Sequence, residues 1–233
     1  ASEERITGFT ENIRRRKQKS LRGSCLPPAL RMPPGGWNGW LRNGGRRSCH
    51  ISGQERLIWK TMGGNDMIIR EASERDLQNI GRLCMENWKK TYAGLLDESY
   101  LNGLTPENCA KESRECLENE KARLYVAYEG DTFLGFGAGL EDKELENCFY
   151  LASLHVSEAA RGKGVGTALL WEIGRHARHG YGRMSVCIVQ GNNGAKRLYE
   201  RLGAAHYKYF EDDFHGTKSQ SEKLVWEDLE RFA

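Results

Sequence analysis

The chain has 233 residues and a formal net charge of +3, with 39% hydrophobic and 29% charged residues. No apolar run approaches the roughly 20 residues of a membrane-spanning helix. No basic-then-apolar leader stands at the start, so a cytoplasmic location is the expectation. Seven cysteines include no Cys-x-x-Cys pair, which argues for reduced thiols packed as small hydrophobes rather than a zinc or disulfide framework.

The charge is divided along the chain. Residues 1–66 carry 13 Lys and Arg against 5 Asp and Glu, and the remaining residues carry 22 against 27. The first stretch also holds four of the five prolines and little period of 2 or 3.6, the composition of a segment that does not fold alone. The domain boundary is therefore placed at Met67. Gly63-Gly64-Asn65-Asp66 permit a purine-rich ribosome-binding sequence in the gene just ahead of Met67. Residues 1–66 are accordingly expected to be translated leader, from a start assigned too far upstream. The rival reading is a basic arm, since Arg14–Lys19 and Arg46–Arg47, with Trp37 and Trp40 interleaved, suit nucleic-acid phosphates. The domain itself does not need such an arm, and nucleic acid is not the expected partner.

From Met67 the elements follow in order. "MIIREA" is a short strand, and Ser73 with Asp76 three positions on begins a helix whose apolar residues are Leu77, Ile80, Leu83 and Cys84. "WKKTYAGLLDESYLNGL" continues it into a loop or broken helix. Thr105 caps a second helix that has Pro106 at its first position and Cys109 and Cys116 on one face. "ARLYVAYEGDTFLGFGAGLED" is a hairpin turning at Gly130-Asp131, with Gly135, Gly137 and Gly139 open to close approach on one face. "CFYLASLHV" is a buried strand, "TALLWEIGRHARHG" a helix ending at Gly180, and "RMSVCIVQ" a further strand. "NNGAKRLYERLG" is a short helix, and "AAHYKYFED" and "SEKLVWEDL" are the last two strands. The order β-α-α-β-β-β-α-β-α-β-β predicts an α/β fold, one mixed sheet with helices on both faces.

Between the buried strand and its helix lies Arg161-Gly162-Lys163-Gly164-Val165-Gly166. Strand, glycine turn and helix N-terminus together aim free N–H groups and a positive dipole end at an anion. The hexamer fails both common nucleotide patterns: Lys163 precedes Gly rather than Ser or Thr, and the Gly162–Gly164 pair is followed one residue too early by Gly166. Alone it reads as a glycine-rich surface turn.

The element order and two spaced motifs resemble the GNAT superfamily of acetyl-CoA-dependent N-acyltransferases over residues 67–233. Arg161 to Gly166 fills that family's Gln/Arg-x-x-Gly-x-Gly/Ala signature for the coenzyme A pyrophosphate. Asn192, Ala195, Tyr199 and Gly203 fill its Asn-x-x-Ala-x-x-x-Tyr pattern and the glycine beyond. "NWKKTYAGLLDESYL" is similar to a bacterial branch acting on small molecules. The resemblance implies a central sheet splayed between the strand before the glycine loop and the strand after its helix. It implies acetyl-CoA as co-substrate and no metal, with His155, His206 and His215 showing no ligand spacing. The backbone of Leu154, His155 and Val156 is expected to pair with the pantetheine arm and to offer an N–H to the thioester carbonyl. Arg161 to Gly166 with Thr167 is expected to hold the diphosphate, Arg161 and Lys163 being its charge partners.

By the same resemblance Tyr199 is the general acid for the leaving thiolate, beside the plainer reading of a packed helix tyrosine. Asn192 bonds the pantetheine, holds the splay or simply caps its helix. Where many relatives carry a glutamate, ten to eleven residues before the signature arginine, this chain has Tyr150 and Leu151. Glu144 and Glu146 fall in the preceding turn, so no base is assigned and a water relay is equally open. Trp88, Tyr92, Tyr100 and Tyr150 are acceptor-side residues by this reading, or simply core. Glu211, Asp212 and Asp213 are either an attraction for a cationic amine or a solvated loop. An amine acceptor, and optionally a second copy of the chain, are the expected partners. Transfer to a small primary amine leads over a protein N-terminus or lysine, an idle coenzyme A sensor and a nucleic-acid binder.

Overall fold

The computed structural model describes residues 47–51, 54–61, 63–214 and 217–233. Arg14–Lys19, Trp37, Trp40, Arg46 and His215 lie outside the described residues. Nine strands form one sheet in the order β1-β2-β3-β4-β5-β6-β7-β9-β8. They are β1 Arg47–Ile51, β2 Gln54–Lys60, β3 Asp66–Glu71, β4 Arg123–Glu129, β5 Thr132–Glu141, β6 Cys148–Val156, β7 Arg183–Val189, β8 Ala205–Phe214 and β9 Thr217–Trp226. The helices are α1 Leu77–Thr91, α2 Glu98–Asn102, α3 Pro106–Glu118, α4 Val165–Gly180 and α5 Asn193–Arg201. All strand pairs are antiparallel except β6 with β7, so the mixed sheet expected from the sequence is present.

Alternation along β4 sets the two layers. Leu124 and Val126 face α1 and α3, together with Phe136 and Ala138. Tyr125 and Ala127 face the other way, into the cluster built on Leu169, Leu170 and Ile173 of α4. At α1 the Asp76 carboxylate accepts from the Ser73 N–H at 2.8 Å and pairs twice with Arg70, each at 2.8 Å. Burial alone would raise this carboxyl, but the Arg70 and Ser73 hydrogen bonds hold it below the usual carboxylate range. The Thr105 cap accepts from the Asn108 N–H, with Pro106 opening α3. Each glycine of β5 meets a different neighbour. A Cβ at Gly135 would stand 2.4 Å from the His155 carbonyl oxygen, whereas at Gly139 it would strike the Phe149 ring. The expected close backbone approach occurs at Gly135.

The boundary at Met67 needs correction. The strand opening at Met67 is not the sheet's edge: β2 pairs with it in register from Arg56↔Arg70 to Lys60↔Asp66, and β1 pairs with β2. Leu57 and Trp59 are each 2% exposed and belong to the α4-side core. The Trp59 Nε1–H donates to the fully buried Glu172 at 3.0 Å, and Arg175 pairs with the same carboxylate at 2.9 Å. Residues 54–61 are therefore part of the packed body. Two apolar side chains in a short charged run make a weak sequence signal, and the surface that buries them comes from a helix more than 100 residues later.

Among the described residues no helix is long and apolar enough to cross a membrane, and no cluster of His, Cys, Asp and Glu has the makings of a metal site.

Candidate active site

The parallel ladder of β6 with β7 ends at Leu151↔Val186, while β6 continues to Val156 along β5 and β7 to Val189 along β9. The two strands part there, leaving the inner edge of β6 open. Direction along this edge follows from its pairing. The Ser157 N–H donates to Leu134 on the β5 side, so alternate residues Leu154 and Val156 turn their backbone groups toward the opening. His155 turns its own toward β5, opposite Phe136. Of the three residues expected to meet a pantetheine arm, only Leu154 and Val156 present backbone groups there. The His155 ring stacks on Phe136 with centroids 5.0 Å apart. Burial, with Arg161 nearby, pushes its pKa down to about 4, so it is neutral at physiological pH.

Past β6 the chain turns through Ser157–Gly164 and enters α4. Gly162 and Gly164 have φ of +75° and +90°, the left-handed region that glycine occupies without penalty. Nothing stands within 4 Å of where a Gly162 Cβ would be, and a Gly166 Cβ would only graze Val156 at 3.4 Å. The loop is an open cradle, and the Val165, Gly166 and Thr167 N–H groups begin α4 with no carbonyl a turn before them. Arg161, Gly162, Gly164, Val165, Gly166 and Thr167 line one cleft of about 930 Å³. Lys163 does not line it. It is an exposed residue and its N–H bends back to the Ala160 carbonyl, so of the two motif cations only Arg161 lines the cleft.

Leu154, His155, Val156, Asn192, Tyr199, Trp88, Tyr92 and Tyr150 line the same cleft. Tyr199 lies on α5 across the splay, 6% exposed, with its ring against Trp226 at 5.7 Å. Burial, with the Tyr92 phenol nearby, raises its pKa well above that of an ordinary phenol. Asn192 caps α5, its Oδ1 accepting from the Ala195 N–H at 3.3 Å, and it also bonds the buried Tyr92 hydroxyl. The capping reading is thus realised, with a tie to α1 added. Trp88 packs on Tyr92 at 4.9 Å and on Tyr100 at 6.3 Å, a continuous aromatic wall.

Acidic groups stand on two other sides. Asp212 and Asp213 of β8 line the cleft, as do Glu112 and Glu115 of α3. Glu211 instead pairs with Lys218 at 2.9 Å. Glu112 keeps exposed surface as a residue and lines the cleft. Desolvation, then the Glu115 charge, pushes it up to about 7. Glu144, considered as a base, is committed elsewhere. It pairs with Lys208 and with the buried Lys223, the latter at 3.1 Å, and Lys223 in turn holds Asp142 at 2.7 Å.

Sequence reasoning missed Asn87. This buried residue of α1 donates from Nδ2 to the Val156 carbonyl at 3.2 Å and accepts at Oδ1 from Arg161 Nη2 at 2.8 Å. It fixes the end of the open strand edge and the signature arginine at once. It opens the family-like stretch "NWKKTYAGLLDESYL", but its role could not be read there because both partners are about 70 positions away.

Comparison with known proteins agrees with this layout. The family described as "Acetyltransferase (GNAT) family" matches residues 85–204. The chain is 33% identical over 112 residues to a spermidine N(1)-acetyltransferase of Thermoplasma acidophilum, covering 45% of this chain and 66% of that protein, just under two thirds of its length. A solved structure of the PaiA N-acetyltransferase from Thermoplasma acidophilum in complex with coenzyme A is 22% identical, with a TM-score of 0.52 over 67% of this chain and 97% of that one. The ribosomal-protein-alanine N-acetyltransferase from Brucella melitensis is 20% identical, with a TM-score of 0.57 over 68% and 98%. At those identities the likeness is one of fold. With over half of its residues matched by the family and the splayed strands and glycine loop in place, the chain belongs to the GNAT acetyltransferase family.

Proposed function

We propose that the protein is an N-acetyltransferase that moves the acetyl group of acetyl-CoA to a primary amine of a small, cationic molecule by direct attack within a ternary complex. The observation that carries this is a single cleft of about 930 Å³ joining the open β6 edge, the glycine cradle, Tyr199 and an aromatic, acidic acceptor end. Acetyl-CoA supplies an activated acyl thioester when bound. The cradle N–H groups and Arg161 suit its diphosphate, and the Leu154 backbone groups with the Val156 N–H suit an extended amide-bearing arm. Tyr199 holds a proton for a leaving thiolate. Trp88, Tyr92 and Tyr100 offer a face to an aliphatic ammonium, and Glu112 with Asp212 and Asp213 favours positive charge. The name of the spermidine-acetylating relative points the same way, toward a diamine or polyamine. The deciding experiment offers acetyl-CoA with a panel of monoamines, polyamines and peptide N-termini and follows free-thiol release. Turnover confined to peptide N-termini would replace the small-amine reading, and no thiol release with any acceptor would remove the catalytic one.

Donor binding has its own test. Acetyl-CoA at a hundredfold over its Kd should stabilise the protein by about 2.7 kcal/mol. Arg161→Glu with Gly166→Glu places two negative charges at the cradle and should abolish the thermal shift, with circular dichroism showing that the unliganded variant keeps its fold. A full shift in the double variant would move the donor site elsewhere.

Glu112 gives a pH dependence. Its carboxyl is ionised above about 7 and protonated below, so KM for a cationic acceptor should fall as pH rises through 7. Glu112→Gln should raise that KM by about tenfold, roughly the 1.4 kcal/mol of one charge-assisted hydrogen bond, and flatten its pH dependence. An unchanged KM profile would exclude Glu112 from acceptor binding.

A further inference from the structure

Two cysteines meet in the acceptor-side wall, where acetyl transfer has no use for a thiol. Gly81 on α1 brings them together: a Cβ there would stand 2.0 Å from the Pro106 carbonyl oxygen and 3.0 Å from the Ala110 Cβ. Only a glycine lets α1 and α3 approach this closely. Cys84 is one turn beyond Gly81 and Cys109 one turn beyond Pro106, so the close crossing carries both thiols to the same place. Each thiol is close enough to the other to shift its ionisation, in opposite directions. Both are free thiols, half-buried, and both line the cleft. Cys84 also packs against the α1–α3 core, so the sulfur a molecule in the cleft meets first is that of Cys109.

We propose that Cys84 and Cys109 form a reversible thiol–disulfide site, a dithiol oxidised by low-molecular-weight disulfides that enter the cleft. The two sulfurs have unequal roles. The Cys84 S–H, donating to Cys109, holds the Cys109 thiol below its usual range, and the Lys89 charge adds to this while burial and Glu112 oppose it. Cys84 is shifted the other way, first by that hydrogen bond and then by burial, Cys109 and Glu112. Tyr100 faces the same cluster with its hydroxyl raised by burial and stays protonated. Cys109 is thus the nucleophile. Its thiolate attacks one sulfur of the small disulfide, that S–S bond breaks, one thiolate leaves, and a mixed disulfide forms on Cys109. Cys84 then loses its proton to water and attacks the Cys109 sulfur, releasing the second small thiolate and closing the Cys84–Cys109 bond. Two protein thiols are oxidised by two electrons and the small disulfide is reduced to two thiols. Cys116, seven residues beyond Cys109, packs against the α1–α3 core, and burial pushes it up to about 11. It takes no part.

The test uses the full chain, reduced and then exposed to glutathione disulfide, with remaining thiols alkylated before peptide mapping by mass spectrometry. The expected product is a Cys84–Cys109 linked peptide, two hydrogens lighter than its reduced parts and reversed by dithiothreitol. Cys84→Ser should stop at a glutathione adduct on Cys109, and Cys109→Ser should leave Cys84 unmodified over the same period. Separately alkylated Cys84 and Cys109 in the wild-type chain, glutathione retained on both, or a link to Cys116 would each overturn the proposal. The mass readout is independent of acetyl transfer, so its failure and a failure of the functional reading are told apart. Where the functional reading holds, the oxidised protein should show a raised acceptor KM with an unchanged acetyl-CoA thermal shift.

Discussion

Replacing Tyr199 by Phe is expected to lower turnover by about 10²–10⁴-fold, the span of a single general acid, while acetyl-CoA affinity changes little. The variant removes one hydroxyl and keeps the ring. Packing on Trp226, which the buried ring makes at 5.7 Å, is retained. Burial raises the phenol above its ordinary range, so the residue stays protonated throughout the physiological pH range, as the proposed acid requires. It contributes no basic limb to the pH profile of turnover below about 10, the unperturbed tyrosine value. Loss confined to kcat marks an interaction made in the transition state. A variant that keeps its kcat, or loses only affinity for acetyl-CoA, would return Tyr199 to the role of a packed core tyrosine.

Trp59→Ala is expected to destabilise the protein by about 3–5 kcal/mol, the usual cost of emptying a buried aromatic site. The change also strips the indole N–H from Glu172, a carboxylate with no exposed surface. Trp59→Phe isolates that second loss, about 1.5–3 kcal/mol for a hydrogen bond to a charged group. Lys60→Ala, at an exposed neighbour, should stay within about 0.5 kcal/mol of the parent. A chain beginning at Met67 lacks both β1 and β2, exposes the paired side of β3, and should melt well below the full chain. Urea unfolding of the four proteins separates these outcomes. Equal stability of the shortened chain would restore the leader reading of residues 1–66 and show that β2 adds nothing to the core.

What the sequence revealed divides by range. Gly162 and Gly164 were legible because their backbone angles admit few other residues, and the cation and helix beside them completed a local pattern. Asn192 was legible as a cap for the same reason: its bond to the Ala195 N–H spans three residues. The β4–β5 hairpin was legible from its turn at Gly130-Asp131, which lies between two strand-like runs. Trp59, Asn87 and Glu112 were not legible. Trp59 has meaning only against Glu172, Asn87 only against Val156 and Arg161, and Glu112 only as part of a cleft that other elements complete. Lys163 shows the opposite error. A cation within an anion-binding motif invites an electrostatic role, but Lys163 is exposed and does not line the cleft.

Asn87 has a kinetic consequence. It is the residue before Trp88, so one rigid helix carries at adjacent positions the clamp on Arg161 and the first ring of the acceptor wall. Whatever draws Arg161 toward a diphosphate pulls on Asn87, and through α1 on Trp88 and Tyr92. If the acceptor wall takes its final shape only once a donor is seated, binding is expected to follow a compulsory order with donor first. In such a scheme an acceptor analogue is competitive against acceptor and uncompetitive against acetyl-CoA. The geometry of one asparagine would thus be written in the pattern of lines on a reciprocal plot.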